Sequence, residues 1–137
     1  MVNKMTLKAG IILIKDNQIA LIYRDKQKDY SFPKGHLEKN ETIIECAIRE
    51  TEEEIKRKVK LISEKEIYIE HYVTPSNEKC ECHYFLGLDD GVSDNTSTDT
   101  HELIWTNYDK VESVLSYPSL KKVWNEIRNE VKKYLND

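Results

Sequence analysis

Three glutamate side chains have the spacing and the chemistry of a metal site. Glu50, Glu53 and Glu54 fall within one sector, about 100° wide, if this stretch forms an α-helix. Carboxylates held this close repel one another and their pKa values rise, so the arrangement is unfavourable without a counter-ion. A hard divalent cation, Mg²⁺ or Mn²⁺, resolves the conflict because it takes oxygen ligands. The alternative is a solvated acidic helix face that binds nothing.

Local patterns predict the elements that carry these carboxylates. Thr42 followed by Glu45 fits the capping box and predicts a helix that begins near Thr42. Its inward face is predicted to consist of residues at helical spacing: Ile44, Ile48, Thr51 and Ile55. Residues 31–35 are expected to form a short extended piece and a turn, because Pro33 keeps Phe32 out of helical geometry.

The remaining elements predict a single layered domain. Apolar and β-branched runs predict a hairpin and three further strands, at residues 5–14, 18–24, 59–73, 79–88 and 103–105. Residues 89–100 are polar and predict a loop, and Pro118 suits the first turn of a final amphipathic helix. The order predicts one domain, residues 1–137, with an α/β (α+β) fold in which a mixed β-sheet is sandwiched between helices, α/β/α.

Composition and charge restrict the classes of function. The chain has 137 residues, 39% of them hydrophobic and 34% charged, as is typical of a soluble globular protein. No apolar run approaches the roughly 20 residues that cross a bilayer, so no membrane partner is expected. A net charge of −4 argues against a stable nucleic-acid partner. The odd number of cysteines (Cys46, Cys80 and Cys82) and the absence of a signal peptide predict reduced thiols and a cytoplasmic location.

The carboxylates belong to a longer pattern. Gly35 is followed after five residues by Glu41 and, after a further seven, by Arg-Glu-Thr-Glu-Glu-Glu at residues 49–54. This pattern resembles the Nudix box, G-x5-E-x7-R-E-U-x-E-E-x-G-U, in which U is an apolar residue. The glycine, the early glutamate and the whole R-E-x-x-E-E core match. Three positions depart from the box: Thr51, Lys56 in place of its last glycine, and Arg57.

The resemblance to the Nudix (MutT-like) hydrolases implies an activity and a set of roles. Members hydrolyse a nucleoside diphosphate linked to another group, with Mg²⁺ or Mn²⁺ as the cofactor, and the metal lowers the pKa of a bound water. Arg49 and Glu41 would form an ion pair that orients the helix and the loop. The metal ligands implied by position are the backbone carbonyl of Gly35 and the carboxylates of Glu50, Glu53 and Glu54.

Residues outside the box resemble the diadenosine tetraphosphate (Ap4A) hydrolases. Phe-Pro-Lys-Gly-His at residues 32–36 is similar to the way their box opens, which implies that Lys34 and His36 meet phosphate oxygens. Lys79, seven residues after Tyr72, is similar to their phosphate-facing lysine. Tyr117 stands where they carry an aromatic residue, so Tyr72 and Tyr117 are candidates for two rings that stack on an adenine.

The general base stays open among four carboxylates. In the wider family the base is either a glutamate of the box, here Glu53 or Glu54, or a carboxylate on the loop before the late strand. That loop offers Asp99 and Glu102. The Ap4A hydrolases tend to have glutamate at the position of Asp99, and aspartate has the same chemistry with a shorter reach.

The sequence therefore predicts a Mg²⁺-dependent hydrolase that splits Ap4A asymmetrically into ATP and AMP. Its partner would be a small molecule, a dinucleoside polyphosphate or another nucleotide. The closest alternative is the same chemistry on a dNTP, a diphosphoinositol phosphate or the 5′ end of RNA. A non-catalytic nucleotide-binding module is a further alternative, but it predicts loss of acidic positions that this sequence retains.

Overall fold

The computed structural model describes residues 5–136, which form an eight-stranded sheet and three α-helices. The strands are β1 (Thr6–Lys15), β2 (Gln18–Arg24), β3 (Asp29–Ser31), β4 (Lys34–His36), β5 (Arg57–Leu61), β6 (Tyr68–Val73), β7 (Lys79–Val92) and β8 (Glu102–Asn107). The helices are α1 (Ile43–Ile55), α2 (Val111–Val114) and α3 (Pro118–Lys132). Within the described range, no helix has the length and apolar character needed to cross a membrane.

Strands β1 and β7 form the centre of the sheet. They run parallel and pair from Thr6 with Cys80 to Ile14 with Leu88. The other ladders are antiparallel, so the sheet is mixed. β6 and β5 pair with successive halves of β7, and β8 pairs with β2.

Strands β1 and β2 diverge after their hairpin, and the divergence makes room for a site. Their ladder joins residues 14–15 to residues 18–19. Further along, β4 pairs with β1 at residues 8–10, whereas β3 pairs with β2 at residues 22–24. The segment 29–36 therefore crosses from β2 to β1 and carries the Lys-Gly-His stretch with it.

Each face of the sheet is covered by helices. The layer formed with α2 and α3 buries, among others, Ile12, Leu21, Tyr84, Leu115 and Trp124. The layer formed with α1 buries, among others, Ala9, Ile11, Ala47, Ile55 and Phe85. The predicted mixed sheet between helices is confirmed, and Pro118 begins α3 as predicted.

Helix α1 begins as the sequence predicts and packs on a slightly different face. Thr42 Oγ1 accepts from the Glu45 N–H at 3.1 Å, and Glu45 Oε1 accepts from the Thr42 N–H at 2.8 Å, which completes the capping box. Of the predicted inward residues, Ile44 and Ile48 are only half-buried. The fully buried positions are small and let the helix approach the sheet closely: Cys46, Ala47 and Thr51.

The buried hydroxyl of Thr51 is satisfied within the helix. Its Oγ1 donates to the Ala47 carbonyl at 2.9 Å, one turn earlier. A polar residue at this apolar position of the box is therefore accommodated. The same orientation of the helix buries Glu50 and Glu54, which are 7% and 6% exposed.

Two predicted strand boundaries are wrong. The run 59–73 is two strands, because the polar residues after Leu61 turn the chain and Ser63 Oγ accepts from the Lys65 N–H at 3.1 Å. The strand that begins at residue 79 continues to Val92 instead of ending at residue 88. Asp89 stays within the sheet because Arg57 binds its carboxylate through two hydrogen bonds of 2.8 and 2.6 Å.

Candidate active site

A pocket opens where β1 and β2 diverge, beside α1 and the loop that joins β7 to β8. Its lining combines two sets of charged and imidazole side chains. The acidic set consists of Glu50, Glu54 and Asp99. The basic and imidazole set consists of Lys8, Arg24, Lys34, His36 and His101. Such a pocket can hold a polyanion and a divalent cation side by side.

Three carboxylates lie close enough to share one cation. Glu50 and Glu53 on α1 and Asp99 on the β7–β8 loop each offer an oxygen, and these oxygens lie within 4.8 Å of one another. The loop carboxylate, predicted as a possible base, thus joins two predicted metal ligands. Glu54 also lines the pocket but is outside this group of three.

Burial makes the charged forms of two of these carboxylates costly. Burial raises the pKa of Glu50 to about 7, against the opposing effect of Arg49 and with the help of the neighbouring Glu53. Burial and the charge of Glu50 raise the pKa of Glu54 to about 8. A divalent cation bound to this oxygen-rich set would remove that cost, so the residues fit Mg²⁺ or Mn²⁺.

Arg49 connects the carboxylate helix to the loop before it. Its Nε and Nη2 donate to the two oxygens of Glu41 at 2.9 and 2.8 Å, and Nη2 also donates to the His36 carbonyl at 3.0 Å. Its Nη1 donates to Glu53 Oε2 at 3.0 Å and lies 3.3 Å from Glu50 Oε2. The paired guanidinium holds the pKa of Glu41 at about 2. One side chain therefore fixes the loop and two members of the carboxylate group.

The backbone of β4 lies directly against the carboxylates. A Cβ atom on Gly35 would lie 2.0 Å from Glu50 Cδ, so a side chain is excluded at this position. The Lys34 N–H donates to Glu54 Oε1 at 3.0 Å. The Gly35 carbonyl accepts from the Cys46 thiol at 3.6 Å, which directs this oxygen towards α1. Gly35 and α1 are thus in the contact that the box pattern requires.

The Lys34 side chain supplies a positive charge to the pocket. Its Nζ donates to the Tyr84 hydroxyl at 3.3 Å and lies 3.9 Å from Glu70 Oε1. The same ammonium lies 4.9 Å from the centre of the Tyr72 ring, within the range of a cation–π contact. An ammonium has three donors, so Lys34 retains donor capacity for a phosphate oxygen.

Seven of the predicted site residues lie outside the pocket lining of the described chain: Glu41, Arg49, Glu53, Tyr72, Lys79, Glu102 and Tyr117. The first three belong to the ion-pair network beside the pocket, in which Arg49 contacts both glutamates. The Tyr72 ring is half-buried beneath the ammonium groups of Lys8 and Lys34, at 5.5 and 4.9 Å. Tyr117 is 43% exposed and its hydroxyl donates to Asp29, the residue that also binds Arg24. The two rings therefore contact different elements. Lys79 and Glu102 are exposed at the starts of β7 and β8.

The sequence patterns do not identify six of the lining residues: Ile22, Gln27, Ser31, Lys8, Arg24 and His101. The last three are the basic or imidazole side chains among them. Arg24 is held by two hydrogen bonds to Asp29, at 2.7 and 2.6 Å. The His101 N–H donates to the Glu54 carbonyl at 2.9 Å, and its Nε2 lies 3.7 Å from Glu54 Oε2. The one available signal was Lys8, a cation inside an otherwise apolar stretch of β1.

The fold and the site together define a class of protein. A mixed sheet packs against α1, and the buried carboxylates of this helix lie beside a pocket lined by basic side chains. The chain belongs to the Nudix family, because the family model described as "NUDIX domain" matches residues 4–131. The resemblance of the box is thereby confirmed at the level of the whole domain.

Solved structures with the same fold carry different names. A NUDIX hydrolase from Nitrosomonas europaea has a TM-score of 0.76 at 20% identity, covering 97% of this chain and 93% of its own. A C. elegans Ap4A hydrolase binary complex has a TM-score of 0.75 at 16% identity, covering 95% and 100%. A MutT protein from Bacillus halodurans has a TM-score of 0.72 at 16% identity, covering 90% and 82%. These likenesses establish a Nudix hydrolase fold.

Proposed function

We propose that this protein is a divalent-metal-dependent pyrophosphohydrolase that cleaves Ap4A asymmetrically into ATP and AMP. The observation that carries the proposal is the group of oxygens from Glu50, Glu53 and Asp99 within 4.8 Å of one another. Two of the three, Glu50 and Asp99, line a pocket that Lys34 and Arg24 also line. Membership of the Nudix family supports the chemistry. The Phe-Pro-Lys-Gly-His stretch and the fold shared with an Ap4A hydrolase support the substrate.

The metal-holding residues of the proposal are Glu50, Glu53, Asp99 and the carbonyl of Gly35. All are oxygen donors, which is the set that Mg²⁺ and Mn²⁺ take in proteins. When bound, the metal supplies charge neutralisation for the phosphates and a lower pKa for a coordinated water. The proposed role of Arg49 is to orient Glu53 and, by its two hydrogen bonds to Glu41, to hold the loop before α1 in place.

The phosphate chain would lie along the basic part of the pocket. The Lys34 ammonium lies beside the Glu70 carboxylate, and the Arg24 guanidinium is paired with Asp29. Both cations are therefore held in position before a substrate binds. Preorganised cations stabilise the charge that develops on phosphate oxygens during transfer. His36, on the same strand as Lys34, lines the pocket beside them.

Glu54 is our candidate for the general base. It lines the pocket but stands outside the group of three carboxylates, and the Lys34 N–H fixes one of its oxygens. In the proposed step the water oxygen bonds to phosphorus while the bridging P–O bond breaks. Glu54 takes the proton that the water loses, and AMP and ATP leave.

A second candidate is hydrolysis of a substrate with a single base, such as a dNTP. The observation that favours it is the arrangement of the two candidate stacking residues, because Tyr72 and Tyr117 both lie outside the pocket lining of the described chain. A site without an aromatic sandwich has less reason to select a dinucleotide. Lys79 and Glu102 are exposed at the starts of β7 and β8. For either substrate, we propose that they contact only its outer part.

The three cysteines support a working location in the reducing cytoplasm. Cys46, Cys80 and Cys82 are all buried and free, as is usual for proteins kept under reducing conditions. We propose a small nucleotide as the sole substrate class, without a stable nucleic-acid partner.

A substrate panel tests the proposal. The purified protein is incubated with Mg²⁺ and, separately, Ap4A, dNTPs, a nucleotide sugar and capped RNA, and the products are separated by chromatography. Fastest turnover of Ap4A supports the proposed substrate. Faster turnover of a dNTP supports the second candidate, a substrate with a single base. No turnover of any pyrophosphate substrate overturns the proposed activity. Glu126→Gln, an exposed change on α3, serves as the control variant.

A further inference from the structure

Helix α1 ends at a lysine in a conformation that favours glycine. Lys56 has φ 56° and ψ 41°, in the left-handed region, and its N–H donates to the Glu52 carbonyl at 3.1 Å. Side chains other than glycine carry a conformational cost in this region. The Nudix box has glycine here, so this chain carries a residue with a less favourable conformational free energy than the residue of the pattern. An unfavourable backbone conformation that persists calls for a compensating contact.

The compensating contacts lead from Lys56 to the β7–β8 loop. The Lys56 ammonium donates to the Ser97 carbonyl at 2.5 Å and to Asn95 Oδ1 at 3.3 Å. The Lys56 carbonyl accepts from the Ser93 N–H at 2.9 Å. One residue at the end of the helix thus binds the loop at three points between residues 93 and 97.

The bound part of the loop continues directly to Asp99. Asn95 Oδ1 accepts from the Ser97 N–H at 2.8 Å, and Ser97 Oγ accepts from the Asp99 N–H at 3.1 Å. Residues 93–101 contain no helix or strand in the described chain, so the loop is held by individual hydrogen bonds. Besides those of Lys56, Ser93 Oγ donates to Glu52 Oε1 at 2.5 Å and the His101 N–H donates to the Glu54 carbonyl at 2.9 Å. Asp99 then places its carboxylate beside Glu50 and Glu53.

From these contacts we infer that Lys56 is a positioning residue, which holds the 93–99 loop so that Asp99 completes the metal site. The inference rests on the proposed function, since it assumes that Asp99 serves the metal. It assigns a role to a residue that departs from the box: glycine at this position has no side chain with which to hold the loop. Lys56 itself remains outside the pocket lining of the described chain.

Binding of Mn²⁺, followed by electron paramagnetic resonance, tests this role. Lys56→Gly removes the ammonium and relieves the backbone, whereas Lys56→Met removes the ammonium alone. We expect both variants to bind Mn²⁺ roughly tenfold more weakly. The melting temperature of Lys56→Gly should change little, because relief of the backbone offsets the lost contacts. Lys58→Met, an exposed change two residues away, should behave as the wild type.

Two further measurements separate positioning from a general structural effect. In an Asp99→Asn background, Lys56→Gly should cause no further loss of Mn²⁺ affinity. Hydrogen exchange of the amides at 93–99 should accelerate in both Lys56 variants without metal, and remain unchanged in Lys58→Met. Unaltered Mn²⁺ affinity, unaltered exchange, or an equal loss of affinity in the Asp99→Asn background would overturn the inference alone. Failure of the wild-type protein to bind Mn²⁺ would overturn the proposed function and this inference with it.

Discussion

The Glu50 carboxylate rests against the backbone of Gly35, in the space that any side chain at residue 35 would occupy. An added Cβ would lie 2.0 Å from both Cδ and Oε2 of Glu50. This approach brings a backbone carbonyl and a carboxylate of the candidate site together across β4 and α1. The glycine is needed here for space, since its φ is not in the left-handed region.

Gly35→Ala should therefore disable the site more than it weakens the fold. The methyl group must displace Glu50, and overpacking of this kind costs about 1–3 kcal/mol. We expect loss of Mn²⁺ affinity and of hydrolysis, measured together with urea unfolding. Gly91→Ala is the matched control, because it places a residue with φ 101° under strain in open space. If Gly91→Ala loses metal affinity to the same degree, the effect of Gly35→Ala is merely one of stability.

Glu54→Gln should abolish turnover and stabilise the metal-free protein. An amide keeps the acceptor for the Lys34 N–H but cannot take a proton from water. Removal of a general base costs about 10²–10⁴-fold in kcat. Because burial raises the pKa of Glu54 to about 8, its charge is costly at alkaline pH, and its removal should increase the free energy of unfolding by roughly 1–3 kcal/mol.

The measurements for Glu54→Gln are kcat with the preferred substrate and urea unfolding in EDTA at about pH 8.5. Glu126→Gln, exposed on α3, should alter neither quantity. Retention of near wild-type kcat would rule out Glu54 as the base. The base would then be sought at Glu53, Asp99 or Glu102.

The stability of the metal-free protein should fall as pH rises from about 4.5 to about 8. Glu50 and Glu54 have pKa values of about 7 and about 8 when folded, above the ordinary value of 4.5. Their protonated forms stabilise the fold fully below about pH 4.5, and this stabilisation is lost as pH rises through the folded values. Mg²⁺ should oppose the loss, because the ligands bind metal when deprotonated.

Urea unfolding of the wild type and of the Glu50→Gln/Glu54→Gln double variant, in EDTA, checks this dependence. The difference in unfolding free energy between the two proteins isolates the two carboxylates from other titrating groups. Glu41, whose pKa lies at about 2, makes the free energy of unfolding increase with pH, but only at pH values below about 4.5. A wild type that gains stability relative to the double variant as pH rises contradicts the prediction.

Arg49→Lys should lower activity although the positive charge is retained. One ammonium cannot reproduce the hydrogen bonds that the guanidinium makes to Glu41, Glu53 and the His36 carbonyl. We expect kcat/KM to fall roughly 10–100-fold, as for other contacts that orient metal ligands. Arg57→Lys removes a similar paired contact, to Asp89, away from the pocket. It should lower stability and leave kcat/KM unchanged; equal losses of activity in both variants would contradict a specific role for Arg49.

Local chemistry made α1 and its partners predictable. The capping box fixed the start of the helix at Thr42, and the box spacing identified Gly35 and Glu50, which are in contact in the structure. These features depend on residues that are neighbours along a helix or on a loop next to it. The same holds for the first turn of α3, where proline satisfies a position that needs no donor.

Features that depend on tertiary contacts were not predictable from one sequence. The continuation of β7 depends on the pair of Asp89 with Arg57, thirty-two positions apart. The inclusion of Asp99 in the carboxylate group depends on a loop that contacts α1 and Lys56 from more than thirty positions along the chain. The hydrogen bond from the Tyr117 hydroxyl to Asp29 likewise joins distant parts of the chain, and no periodicity in the sequence predicts it.

The most direct test of asymmetric Ap4A cleavage by this protein is a time course of the products formed from Ap4A with Mg²⁺, with EDTA as the control. We expect ATP and AMP in equal amounts, appearing in Mg²⁺ and absent in EDTA. Two molecules of ADP, or intact Ap4A in the presence of metal, would contradict it.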